Sequence, residues 1–174
     1  MRKNVLIIGG DQRYLEVIRI LTEQELNVFL VGFDQLSFAL PNVTKLRLDE
    51  VDFEKIDVVL LAIGGTDDHG RIASDFSEAE LVLTEEMIAQ TPKHALICTG
   101  VLNDYLVGIC RERTLIDLYA RDDVAIYNSI PSAEGILQTA MQETDYTIHG
   151  ANVLVLGFGR VGATVAHLFH AVGA

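Results

Sequence analysis

Val5-Leu6-Ile7-Ile8-Gly9-Gly10-Asp11-Gln12-Arg13 is the stretch that decides the class of fold. Its apolar run has no polar residue alternating within it, so it reads as a strand buried on both faces, as in a parallel sheet covered by helices. Beyond the glycine turn, Tyr14, Val17, Ile18 and Leu21 recur at i, i+3, i+4 and i+7, which makes an apolar helical stripe. Strand, glycine turn and helix in that order form one unit of an α/β domain.

The alternation repeats further along the chain. Val28 to Val31 reads as a second strand and Val58-Val59-Leu60-Leu61-Ala62-Ile63 as a third, ended by Gly64-Gly65. Thr84 is suited to N-cap a helix whose first turn holds Glu85 and Glu86, where the helix dipole favours acids. Pro92 stops that helix, and Ala95-Leu96-Ile97-Cys98 makes a fourth strand before Thr99-Gly100. Asn103 caps a helix that turns Leu106, Ile109 and Cys110 to the core, and residues 114–118 form a fifth strand. The expected domain is a flavodoxin-like parallel sheet. After it, Arg121 to Tyr127 reads as helix, Asn128-Ser129-Ile130-Pro131 breaks the pattern, and Ser132 caps a second helix over residues 133–142.

Near the end, Val153-Leu154-Val155-Leu156 runs into Gly157-Phe158-Gly159-Arg160-Val161-Gly162, and a helix follows with Val161, Val165, Leu168 and Phe169 on one face. A bare GxGxxG is a weak signal, but here it has the strand before it and the helix after it that its mechanism requires. The first glycine allows the tight turn, the second admits a pyrophosphate, the third lets helix and strand pack closely, and the helix N-terminus attracts phosphate charge. Residues 157–162 are therefore the expected NAD(P) site, with a ligand-free tight turn as the bland alternative. The residue that meets the ribose lies roughly 20 positions past the first glycine. That position falls beyond Ala174, so NAD and NADP stay open. The chain is expected to be a truncated piece carrying only the first strand and helix, 151–174, of a Rossmann unit.

Composition narrows the function classes. With 49% hydrophobic and 22% charged residues over 174 positions, the chain has the make-up of a globular protein with a core. Thirteen basic against 25 acidic residues give a net charge of −12, which disfavours nucleic acid and anionic membranes. An anionic ligand must then be captured by glycine loops and single arginines. Cys98 and Cys110 show no metal-ligand spacing and read as small buried hydrophobes. His94, His167 and His170 likewise lack partner spacing, so no metal is expected. The N-terminal apolar run is too short for a membrane span and lacks a cleavage pattern, which points to a soluble, cytoplasmic chain.

In flavodoxin-like order the ligand crevice opens where the winding reverses, between the first and third strands. The loops there are residues 9–13 and 64–70, with 99–103 a third candidate. Gly9 and Gly10 are positioned to offer backbone N–H groups to a carboxylate, and Arg13 to add a bidentate contact; alternatively Asp11 caps the helix and Arg13 is solvated. Gly65 and Thr66 belong to the second loop. His69 is suited to move protons near neutrality, or is a surface residue of a flexible acidic loop.

Residues 121–131, Arg121-Asp122-Asp123-Val124-Ala125-Ile126-Tyr127-Asn128-Ser129-Ile130-Pro131, continuing to Glu134-Gly135, resemble the interdomain segment of the dipicolinate synthase A-subunit family. So do Thr144-Asp145-Tyr146-Thr147-Ile148-His149-Gly150, the opening Ile8-Gly9-Gly10-Asp11 with Arg13, and Val31-Gly32-Phe33-Asp34-Gln35-Leu36. The resemblance spans nearly the whole chain. It implies a substrate-side domain over 1–128, a hinge and crossing helix over 129–150, and a Rossmann domain beginning at 151, arranged like D-2-hydroxyacid dehydrogenases. It implies NADP-dependent oxidation, with dehydration, of a hydroxy-tetrahydrodipicolinate on a branch from lysine biosynthesis, in the mother cell of a sporulating bacterium. The implied partner is the flavoprotein-like B subunit of dipicolinate synthase, and a homo-oligomer stays open. Substrate contacts are expected from Gly9, Gly10, Arg13, Gly65, Thr66 and Asn128, with Asp11, His69 and Ser129 as catalytic candidates by position.

Two other classes compete. One is another NAD(P)-dependent 2-hydroxyacid or amino-acid dehydrogenase, which the glycine motif alone does not distinguish. The other is a non-catalytic module, either a scaffold for the B subunit or a receiver domain. The receiver version needs a lysine after the last strand, and none occurs after Lys93.

Overall fold

The unbroken apolar runs do form the middle of a parallel sheet. The computed structural model describes residues 2–37 and 40–174, and the chain divides into two units, Met1–Leu118 and Tyr119–Ala174. The first holds β1 (Asn4–Ile8), α1 (Arg13–Glu23), β2 (Asn27–Val31), β3 (Val43–Lys45), β4 (Val58–Leu61), β5 (Arg71–Ile72), β6 (Leu81–Val82), α2 (Glu85–Gln90), β7 (Leu96–Thr99), α3 (Asp104–Ile109) and β8 (Thr114–Asp117). The main sheet runs β3-β2-β1-β4-β7-β8, all parallel. Apart from β3 this is the expected flavodoxin-like order, with the reversal between β1 and β4.

The sheet is buried on both faces because β1 sends alternate side chains to opposite cores. Leu6 and Ile8 join Val59, Leu61, Ile97 and Leu106 on one face. Val5 and Ile7 join Val28, Leu30, Tyr14 and Ile18 on the other. Each fully buried aliphatic side chain contributes about 1.5–3 kcal/mol relative to exposure. Thr84 and Asn103 cap α2 and α3 as their types foretell, accepting from the N–H groups of Met87 and Leu106. Cys110 is buried and Cys98 partly so, both free; burial pushes the Cys110 thiol up to about 11.

Three strands escape the sequence reading. β3 is a three-residue edge strand in which only Val43 is partly buried, too short to show periodicity. β5 and β6 form a two-residue antiparallel pair at the ends of a segment that folds over the main sheet.

The second unit holds α4 (Asp122–Glu143) and α5 (Arg160–Ala171). Here two expectations are corrected. Asn128-Ser129-Ile130-Pro131 does not break the helix, because α4 runs through Pro131 as one helix of 22 residues. A proline removes one intrahelical donor, but Ser129 and Ala133 are buried in α4's packing and hold the helix across that position. Ser132 accordingly is no cap; its hydroxyl donates to the Asn128 carbonyl at 2.9 Å. Residues 152–156 also form no paired strand, since no other strand lies in this unit among the described residues. Val155 packs against the core of Ala133, Val165 and Phe169, while Leu154 and Leu156 stay 83% and 88% exposed. Val161, expected on the buried face of α5, is 41% exposed.

Candidate functional site

At the carboxyl edge of β1, glycine is required by geometry. Gly9 and Gly10 have φ of 65° and 133°, and a Cβ on Gly9 would lie 2.4 Å from the Ala73 carbonyl oxygen. What approaches these glycines is the chain itself. The Gly9 N–H donates to Val31 O at 2.9 Å and the Gly10 N–H to Ala73 O at 3.1 Å, while Asp75 N–H donates back to Gly10 O. The Ser74 hydroxyl donates to Gly32 O at 2.5 Å, and Phe76 stacks on Phe33 with ring centroids 5.5 Å apart. The segment between β5 and β6 thus covers the ends of β1 and β2. Neither glycine N–H expected to hold a carboxylate is therefore open to one: Gly10's is spent on this cover and Gly9's on β2.

Arg13 and Asp11 form their own pair. The guanidinium donates to Asp11 through Nε at 2.9 Å and Nη2 at 2.5 Å, and the Arg13 backbone N–H adds a third contact at 2.9 Å. Asp11 thus accepts an N–H at the start of α1, and the exposed Arg13 is paired to that same carboxylate. The same pairing holds the Asp11 carboxyl below its ordinary range, so at neutral pH it is ionised and unsuited to donate a proton.

Past β4 the loop is open. A cavity of about 440 Å³ is lined by Gly64, Gly65, Thr66, Asp67, Arg71 and Ala73. Gly65 takes φ 69°, and a Cβ there would meet Val101 O at 2.7 Å. Asn103 reaches across from α3, donating through Nδ2 to Thr66 O at 2.7 Å while its Oδ1 accepts the Leu106 N–H at 2.9 Å. One side chain therefore caps a helix and fixes the loop. Asp67 orders the rest, accepting from the N–H groups of His69 and Arg71 at 2.8 and 2.9 Å. The loop expected to be flexible is a hydrogen-bonded turn, and it presents His69 to solvent. Arg71, which sequence reasoning passed over for want of a motif, lines the cavity and pairs with Glu80 at 2.6 Å. A larger cavity of about 810 Å³ lies off β2 and β3. Its cations are engaged, Arg47 by Asp49 and Lys45 by the Leu36 carbonyl.

In the second unit the glycine motif keeps the following helix that its mechanism requires, though not a paired strand before it. Gly157 has φ 93°. A Cβ on Gly162 would fall 2.0 Å from Gly157 O, whereas one on Gly159 would meet nothing within 4 Å. Close helix packing thus demands the third glycine, and open space stands at the second, where a pyrophosphate would approach. Gly159 caps α5 without a side-chain bond, so the N–H groups of the first turn are available to an anion. These residues fit a dinucleotide. Phe158 is 75% exposed beside them, and Arg160 donates to Asp122 at 3.1 Å. Asn128 is exposed on α4. Ser129 is 1% exposed, with its hydroxyl on Ile126 O and Thr164 Oγ1. That burial takes it away from any ligand-facing surface of its unit. Among the described residues no group of three metal-ligating side chains assembles, and no helix is long and apolar enough to cross a membrane.

Fold and loops together define a doubly wound α/β protein whose second unit carries, between α4 and α5, a glycine-rich turn that fits a dinucleotide. Residues 4–119 match the family described as the N-terminal domain of the dipicolinate synthase A subunit. The chain belongs to the dipicolinate synthase A-subunit family. It is 46% identical over 172 residues to the dipicolinate synthase A subunit of Bacillus subtilis (strain 168), covering 98% of this chain and 58% of that protein. The crystal structure of the dipicolinate synthase A subunit from Bacillus halodurans is 53% identical with a TM-score of 0.96, over 99% of this chain and 60% of that one. The A chain of dipicolinate synthase from Bacillus subtilis gives 45% and 0.93, over 100% and 59%. The chain therefore spans about three fifths of the length of these relatives, whose names make each one part of an enzyme.

Proposed function

We propose that this chain is the substrate-side domain and the opening of the cofactor domain of a dipicolinate synthase A subunit. Its reaction is the dehydration and NADP-dependent oxidation of a hydroxy-tetrahydrodipicolinate, carried out with a B subunit in the mother cell of a sporulating bacterium. The observation that carries this reading is family membership together with a glycine turn in which position 162 has no room for a side chain.

The atoms balance in two stages. A ring C–H proton and the hydroxyl leave as water, and the dihydropyridine then gives up a hydride and a proton to become aromatic. NADP+ supplies the hydride acceptor when bound; the rest falls to the chain. Residues 157–162 hold the pyrophosphate on the first turn of α5. The backbone of Gly65 and Thr66 receives one substrate carboxylate in the cavity beyond β4, with Arg71 exchanging its Glu80 partner for it. Arg13 serves the other carboxylate, since a bidentate fork that grips Asp11 suits any carboxylate. Asp11, kept ionised, contributes charge rather than a proton. His69, on the adjoining turn, is the candidate to protonate the departing hydroxyl.

Mixing the complete protein and the B subunit with NADP+ and the hydroxylated precursor should yield NADPH, followed by its fluorescence, in proportion to precursor. No NADPH with that precursor, in a protein that still binds NADP+, would assign the chain to a different substrate.

A further inference from the structure

A glycine turn places a phosphate only as well as the helix behind it is held. In the second unit, the first turn of α5 is tied to α4 at two points. Outside, Arg160 donates to Asp122 Oδ1 at 3.1 Å. Inside, the hydroxyl of the buried residue Ser129 meets the Thr164 hydroxyl at 2.7 Å, and Thr164 Oγ1 lies 3.0 Å from the Arg160 carbonyl oxygen. Ser129 Oγ also lies 2.6 Å from the Ile126 carbonyl.

The two hydroxyls carry two protons for three contacts. If each donated to its own carbonyl, two oxygens would face each other at 2.7 Å with no proton between them. One hydroxyl therefore donates to the other. The hydrogen bonds run either from Ser129 through Thr164 to Arg160 O, or from Thr164 through Ser129 to Ile126 O. The rest of this helix contact is apolar, with Ala133, Val165 and Phe169 at its centre. Apolar packing is non-directional, and the part-buried hydroxyl pair adds a directional link across it.

We infer that Ser129 and Thr164 form a clip that sets the axial position of the first turn of α5, and with it the N–H groups that face a dinucleotide pyrophosphate. Both are positioning residues, and the inference rests on the dinucleotide reading given above. It gives Ser129 a purpose that its burial denies it as a catalytic group.

The test uses the complete protein with NADP+ itself. S129A and T164V each sever the clip yet leave the surviving hydroxyl a carbonyl to donate to, so neither strands a buried donor. Titration by NADPH fluorescence, competed with NADP+, should show Kd raised roughly three- to tenfold in each, the worth of one hydrogen bond. The double variant should be no weaker than the singles, because they break one link, and T164S should bind like the wild type. A Kd within twofold of wild type in S129A and T164V, with only the melting temperature lowered, would overturn the inference. So would T164S binding as weakly as T164V, which would put the effect in the lost methyl. A wild type that binds neither NADP+ nor NAD+ would overturn the dinucleotide reading itself, and the clip with it.

Discussion

Replacing Gly162 by alanine adds a single carbon, and the structure says where it goes. That Cβ would sit 2.0 Å from Gly157 O and 3.0 Å from Gly157 C, where ordinary contact begins at 3.4 Å. Relief requires the turn and α5 to separate by the difference, 1.4 Å. The clashing atoms are backbone, so no rotamer change relieves them. Overpacking of this kind costs about 1–3 kcal/mol, and a misplacement of about 1 Å in a binding constellation costs up to about a hundredfold. G162A in the complete protein should therefore weaken NADP+ binding by about ten- to a hundredfold and lower the melting temperature by several degrees. Calorimetric titration beside thermal melting measures both. Unchanged affinity with unchanged stability would refute the claim that close helix packing at Gly162 builds the site.

Other outcomes follow from single groups. R71A should raise KM for the precursor by about tenfold with the NADP+ Kd unmoved; an unmoved KM would take the substrate out of the cavity beyond β4. Y14F removes the bond from the buried Tyr14 hydroxyl to Leu61 O, 2.5 Å long, and should cost about 1 kcal/mol in urea denaturation. Burial pushes the Asp57 carboxyl up, but the Asn4 N–H, His94 and Lys3 outweigh it and hold it below its ordinary 3.8. A depressed carboxyl stabilises the fold above its ordinary pKa, and that contribution disappears as pH falls through the lowered value. D57N should thus be less stable than the wild type at neutral pH and converge with it in acid; a gap that persisted at the acid end would contradict this.

What the sequence made legible follows from which forces are local. β1, β2, β4 and β7 could be read because a strand buried on both faces must be largely apolar, and the flavodoxin-like order was expected from the alternation of strands and helices. The caps at Thr84 and Asn103 were legible because one side chain makes each of them. The break at Pro131 was misread because proline's local cost is visible in the sequence, whereas the burial of Ser129 and Ala133 that offsets it depends on α5, some thirty residues away. The same limit hid the cover over the switch point. Nothing in Gly9-Gly10 reveals that Ala73 will take the Gly10 N–H, and nothing in Arg71 marks it as lining a cavity. At Gly157 and Gly162 the pattern was legible because the partner atoms lie within the motif.

The most direct measurement of the central claim is dipicolinate formation, followed by ultraviolet absorbance, with the complete protein, the hydroxylated precursor, NADP+ and the B subunit each omitted in turn. The account predicts aromatic product that requires the chain, the precursor and NADP+. Dipicolinate appearing at the same rate without the chain or without NADP+ would contradict it.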